Sequence, residues 1–188
     1  IGCRGCIVIG GEPTLHPQIV EIFSYGRECG IEMSLVSNGR RFSNQAFCED
    51  MINAGLEDGK LTFSMSSSSK EDSEVLNGAP KSFEEFELGF DNLTKMGVRP
   101  RINIVISRPL LDKLDKMFYW LASREVPGVG INEGAPAVSQ KTVDASFTLP
   151  PDELGRETMR LFRLGQQLNI RTVFLFNLPF CVLSREDI

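Results

Sequence analysis

Only one histidine, His16, occurs in 188 residues. A site built on several imidazoles is therefore excluded, and any metal held by this chain would need thiolates or carboxylates. Cysteine is also sparse: five residues, an odd number at irregular spacing. That is not a disulfide framework, and it points to reduced thiols and a cytoplasmic location. No apolar run reaches the roughly 18 residues of a membrane-spanning helix. The densest run, Val173 to Leu183, is broken by Asn177 and Pro179. No signal peptide is visible. Positive charge is not in excess: a net charge of −5 disfavours a broad nucleic-acid or membrane-surface footprint, although it permits a local basic patch. Low-complexity segments are lacking too. The chain starts at Ile1, not methionine, and only a few residues before a strong strand. A fragment without its N-terminal portion is the expectation.

What is present is a chain with an ordinary globular balance, 41% hydrophobic and 24% charged, long enough for one sizeable core. Strand-like runs alternate with helical patterns. Strands are expected at Cys6 to Ile9, Glu32 to Val36, Leu61 to Met65, Arg101 to Ile106, Val129 to Asn132 and Thr172 to Phe176. The first helix carries Pro17 at its first position and stops at Gly30; the second runs from near Ser43 to before Gly55. Ser82-Phe83-Glu84-Glu85 reads as a capping box, followed by an apolar stripe at Phe83, Phe86, Phe90 and Leu93 that Gly97 closes. Leu111, Leu114, Phe118 and Leu121 repeat the stripe, and the last helix runs from about Pro151 to Leu168. Lys70 to Gly78 reads as a solvated connection. Near-continuous apolar strands separated by amphipathic helices imply a parallel sheet, either open and doubly wound or a full or partial (β/α) barrel. Both place ligands at the C-terminal strand ends. Gly10 to Glu12, Ser37-Asn38, Ser66 and Ser107 all lie at such ends.

The first of these ends raises a chemical question. Gly10-Gly11-Glu12-Pro13 closes an apolar strand with two residues that weaken it, a carboxylate and a proline. Bare backbone beside one negative charge suits a ligand carrying a cationic group, which Glu12 can take up in charge-assisted hydrogen bonds; Pro13 stops the strand and sets the turn. "GGEPTLHPQIVEIFSYGRECGIEMSLVSNG" resembles the second and third βα units of radical S-adenosylmethionine (radical SAM) enzymes. "NGAPKSFEEFELGFDNLTKMGVRPRINIVISR" and "FNLPFC" are similar to later segments of the family. The resemblance implies a partial (β/α)6 barrel over residues 1–177, with residues 178–188 starting a C-terminal extension. It implies that Gly10, Gly11, Glu12 and Pro13 receive the methionyl end of S-adenosylmethionine, and that Ser37, Asn38, Ser66, Asn103 and Ser107 line the pocket. Ser37-Asn38-Gly39 also reads as a plain turn. Asn103 could instead face a polar lumen, and Asn132 and Glu133 are weaker candidates near the adenine.

The resemblance also implies a [4Fe–4S] cluster, generation of a 5′-deoxyadenosyl radical and hydrogen abstraction from a substrate. That substrate would be a peptide, a cofactor precursor or a small metabolite, and the electron donor a flavodoxin or ferredoxin. The family's CxxxCxxC is not in this chain, and its ligands are expected upstream. Cys3-Arg4-Gly5-Cys6 has the wrong spacing, so Cys6 is expected to pack in the sheet and Cys3 to end a preceding helix. Cys29 and Cys48 are expected to pack within helices. His16 is expected to start a helix, since it has no evident nucleophile partner. Two other readings stay open: a (β/α) barrel without a cluster that binds S-adenosylmethionine, a nucleotide or a peptide, and a plain (β/α) domain with an incidental GGEP turn.

Overall fold

The computed structural model describes residues 2–135, 137–138 and 143–183. Six parallel strands form one open sheet, with helices between successive strands. The chain divides into two compact units: Ile1–Ser64 with Ser69–Arg101, and Met65–Ser68 with Ile102–Ile188.

The first unit begins with β1 (Gly5–Val8), a 3-10 turn (Pro13–Leu15) and α1 (Ile19–Glu28). It continues through β2 (Glu32–Ser37), a second 3-10 turn (Arg40–Ser43), α2 (Gln45–Asn53) and β3 (Leu61–Met65). Then come α3 (Lys70–Asn77) and α4 (Ser82–Lys95). β1 pairs with β2 in parallel, Cys6 opposite Met33, and β2 pairs with β3, Leu35 opposite Leu61. Alternation puts Met33, Leu35, Leu61, Phe63 and Met65 into the core. The stripe of α4 is buried as its spacing predicts: Phe83, Phe86, Phe90 and Leu93. Phe47, Phe42, Phe63 and Phe86 form a row of tilted rings with successive centroids 5.1, 5.5 and 5.6 Å apart.

Gly89 of α4 packs closely against the backbone of the second 3-10 turn and the residue before it. A Cβ there would lie 2.5 Å from the Gly39 carbonyl oxygen and 3.1 Å from Phe42 Cβ. Backbone cannot yield as a flexible side chain can, so Gly89→Val is expected to destabilise the protein by about 2–3 kcal/mol, the upper part of the overpacking range. Urea denaturation checks this, and a change within error of zero would mean that α4 is free to shift.

Two elements depart from the sequence expectation. Lys70–Asn77 is solvated as expected, with Ser73 its one buried residue, but it is a helix and not an irregular connection. Ser69 caps it by accepting from Asp72 N at 3.3 Å, Glu71 and Asp72 complement its positive end, and Gly78 ends it at φ 59°. The capping box at Ser82 does not form. Ser82 already lies inside α4, its hydroxyl 2.9 Å from that of buried Ser73, while Glu85 pairs with Arg40 Nε at 2.6 Å. Tertiary partners took both side chains, and Lys81, at φ 58°, occupies the cap position.

In the second unit β4 (Arg101–Ile106) pairs with β5 (Gly128–Glu133), and β5 with β8 (Arg171–Phe174). Helix α5 (Leu114–Ser123) buries Leu114, Met117, Phe118 and Leu121; α6 (Pro151–Gln167) buries Leu154 and Leu161. A short antiparallel pair, β6 (Ala137–Val138) with β7 (Val143–Asp144), was not anticipated from the sequence.

Candidate functional site

In the first unit the turn after β1 and the end of β2 are joined through one carboxylate. Glu12 Oε1 accepts from Thr14 N at 3.0 Å, Thr14 Oγ1 at 2.7 Å and Ser37 Oγ at 2.9 Å. Its Oε2 accepts from Asn38 N at 2.7 Å. Glu12 is the residue before the Pro13–Leu15 turn and caps it, which explains the bond from Thr14 N. Thr14 and Ser37 are buried, at 0% and 2% exposure, so their hydroxyls have little access to water and need the acceptor. Ser37 Oγ in turn accepts from Gly39 N at 3.0 Å, and Asn38 Oδ1 from Arg40 N at 3.0 Å.

Sequence reasoning placed Glu12, Pro13, Ser37 and Asn38 at one site, and the structure brings these four together. Gly10 and Gly11 precede them in the left-handed region, at φ 107° and 53°, and a Cβ on either would meet nothing within 4 Å. Conformation, not crowding, requires glycine here, and the space above this backbone is open. With one oxygen of Glu12 filled by three donors and the other by one, Oε2 retains room for a further donor. A cationic amine is the ligand group this arrangement suits, and the open glycine backbone leaves it an approach. The aminoacyl end of S-adenosylmethionine therefore fits the residues present.

Thr14 and Arg41 belong to this site and were missed. Thr14 had a local signal, since it stands two residues after a capping carboxylate. Arg41, whose Nη1 donates to the Thr14 carbonyl, had none, because its partner is far away in sequence. His16 Nδ1 accepts from Gln18 N at 3.2 Å, a turn-forming bond that agrees with a structural role.

The remaining candidates lie in the second unit. Ile102, Ile104 and Ile106 are buried on one face of β4, and Asn103 is half-buried on the other. Its Oδ1 accepts from Asn132 Nδ2 on β5 at 3.0 Å. Ser107, just past β4, is buried, and Gly134 lies close to it: a Cβ on Gly134 would meet Ser107 Cβ at 3.0 Å. Ser66 is half-buried and its neighbour Ser67 buried.

The cysteines do not fit a cluster. Among the described residues no three His, Cys, Asp or Glu side chains are grouped to hold a metal ion. Cys3, Cys6, Cys29 and Cys181 are exposed, Cys48 is buried, and all are free thiols. Cys6 was expected to pack; it is exposed, on a strand in which Gly5, Cys6 and Ile7 are all exposed among the described residues. Cys29 ends α1 instead of packing within a helix. Cys3 lies outside any helix, with Sγ donating to Gly5 O at 3.2 Å. Burial pushes the Cys48 thiol from 9.0 up to about 11. At pH 8, alkylation of the folded protein is expected to modify the exposed thiols and spare Cys48, which mass spectrometry of tryptic peptides checks. The buried neutral thiol favours the fold fully below pH 9, and this contribution is lost as pH rises through about 11.

The Radical SAM superfamily profile matches residues 1–115. An AdoMet-dependent heme synthase of Methanosarcina barkeri is 30% identical over 118 residues, 63% of this chain and 33% of the relative. The chain thus spans about a third of that relative's length. Streptococcus suis SuiB bound to S-adenosylmethionine superposes with a TM-score of 0.69 at 14% identity, over 95% of this chain and 41% of that one. A domain of a pyruvate-formate lyase-activating enzyme from Bacteroides vulgatus gives 0.64 at 14% identity, over 91% and 98%. At these identities the structures show the fold, an incomplete barrel of alternating strands and helices. No described helix is long and apolar enough to cross a membrane.

Proposed function

The chain belongs to the radical SAM superfamily of enzymes, and from that premise we propose that Glu12 holds the ammonium of S-adenosylmethionine over the Gly10-Gly11 backbone. The observation that carries this is the unequal loading of the Glu12 carboxylate, three donors on Oε1 and one on Oε2. Thr14, Ser37 and Asn38 fix the carboxylate in place, so little ordering cost falls on binding. Pro13 sets the direction of the turn; for Ser66, Asn103 and Ser107 the family resemblance alone supports a ligand-lining role. When bound, and reduced at a [4Fe–4S] cluster, S-adenosylmethionine supplies 5′-deoxyadenosyl radical chemistry for hydrogen abstraction. The protein's part is binding, orientation and exclusion of water.

The cluster's ligands are proposed to lie upstream of this chain, in the family's CxxxCxxC, a spacing that the five cysteines here do not have. Residues 1–177 are read as the core and residues 178–188 as the start of an extension. The protein is placed in the cytoplasm, with a flavodoxin or ferredoxin as electron donor. A peptide, a cofactor precursor or a small metabolite is the substrate class. The matched heme synthase and a SuiB structure with its precursor peptide SuiA support that range.

The test uses the complete gene product after anaerobic iron–sulfur reconstitution. Calorimetric binding of S-adenosylmethionine, together with formation of 5′-deoxyadenosine under dithionite, is the expected result. Binding without cleavage would leave a cofactor-binding module, and no binding would overturn the assignment of Glu12.

A further inference from the structure

Arg41 stands apart from the other charged residues near the Glu12 turn. It is exposed, in the 3-10 turn that follows β2, and it makes no ion pair among the described residues. One guanidinium N–H is committed to the Thr14 carbonyl, and the guanidinium carbon lies 4.2 Å from the centroid of the Phe47 ring. A planar cation can stack on an aromatic face and donate at its edge at the same time, which a lysine ammonium does less well.

Thr14 is the residue this grip controls. It is fully buried, and its three polar groups are all engaged. The amide and hydroxyl bond to Glu12 Oε1, and the carbonyl accepts from Arg41. The Thr14 peptide therefore cannot turn without carrying the Glu12 oxygen with it. Phe47 is itself anchored, because Asn44 Oδ1 accepts from its amide at 3.2 Å and its ring packs on Phe42. A chain of contacts runs from the start of α2 through Phe47 and Arg41 to Thr14, and ends on the carboxylate.

We infer that Arg41 is a positioning residue for the Glu12 carboxylate: through Thr14 it commits Oε1 to the protein and leaves Oε2 for the ligand's ammonium. This rests on the proposed assignment of Glu12. Arg41 is not assigned a contact with the ligand. Its effect is specific to ligands that carry the aminoacyl group, because only those use Glu12.

Three ligands separate the possibilities in the complete, reconstituted gene product. S-adenosylmethionine and S-adenosylhomocysteine carry the aminoacyl group, and 5′-methylthioadenosine lacks it. Arg41→Ala is expected to weaken the first two by about tenfold, which corresponds to roughly 1.4 kcal/mol, and to leave the third unchanged. Arg41→Gln still offers Thr14 a donor and is expected to recover most of the loss, which a direct charge contact would not allow. Arg41→Met keeps the stem over Phe47 but donates nothing, and gives the same split should the alanine variant not fold. An equal loss for all three ligands would make Arg41 a general structural residue and overturn the inference, as would no loss for any. Failure of the unmodified protein to bind S-adenosylmethionine while binding 5′-methylthioadenosine would instead remove the Glu12 assignment itself, and this inference with it.

Discussion

Glu12→Ala abolishes measurable S-adenosylmethionine binding and costs about 2–4 kcal/mol of stability, an expectation set by the hydrogen bonds to a charged acceptor that are lost. Four donors lose their acceptor together. Two are hydroxyls of residues with almost no access to water, Thr14 and Ser37, and a third is the amide of Thr14. The loss is smaller than four separate bonds would suggest, because the carboxylate also sheds its own cost of partial burial. Glu12→Gln separates the two roles. It keeps an oxygen for Thr14 and Ser37 and removes the negative charge. Its amide NH2 would then face Asn38 N, donor against donor, so a modest loss of stability is expected. Affinity should fall by about a hundredfold, since that loss of roughly 2.7 kcal/mol is typical of a charge-assisted bond. Thermal unfolding and calorimetric titration of both variants check these values. A glutamine variant that binds as tightly as the parent would show that the carboxylate serves the fold alone.

Phe63→Ala is the second large effect, and it acts far from any ligand contact. Phe63 is fully buried between Phe42 and Phe86. Truncating a buried phenylalanine typically costs about 3–5 kcal/mol, from lost transfer energy and the cavity left behind. The cavity would open beneath the site. A Cβ on Gly39 would come within 2.7 Å of the Phe63 ring, so that ring supports the residue directly after Asn38. Affinity for S-adenosylmethionine is therefore expected to fall along with stability. Phe63→Leu keeps most of the volume and should cost less than about 1.5 kcal/mol. Denaturant titration orders the three proteins, and an alanine variant as stable as the leucine one would show that the ring row collapses to fill the space.

Legibility in the sequence followed the range of the forces involved. β3 and β4 were bounded correctly, and β2 to within one residue, because alternation and the turn residues after each strand are local. The stripe of α4 was equally plain. The Glu12–Ser37–Asn38 arrangement was accessible because two short motifs at successive strand ends imply it. The cap of α4 was misread for a nonlocal reason: Ser82 and Glu85 have the right spacing, yet Ser73 and Arg40 took their side chains. Cys6 was misread because the apolar run of β1 predicts cover that the described residues do not supply. Arg41 was invisible, since nothing near it in the chain distinguishes an arginine that reaches back to Thr14 from one in solvent.

The register of the strands bears on how the chain assembles. Gly5 pairs with Glu32, Leu35 with Leu61, and Ile102 with Val129, so in these three pairs a strand meets the next one along the chain, one helix later, whereas β5 pairs with β8 beyond β6, β7 and α6. Loop-closure cost rises with the chain enclosed, and the first three of these pairings each enclose one short crossover. β5 waits longer, for β8, the last strand of the sheet. Each βα step, once formed, is the template for the next, and the polypeptide can build this sheet in the order in which it leaves the ribosome.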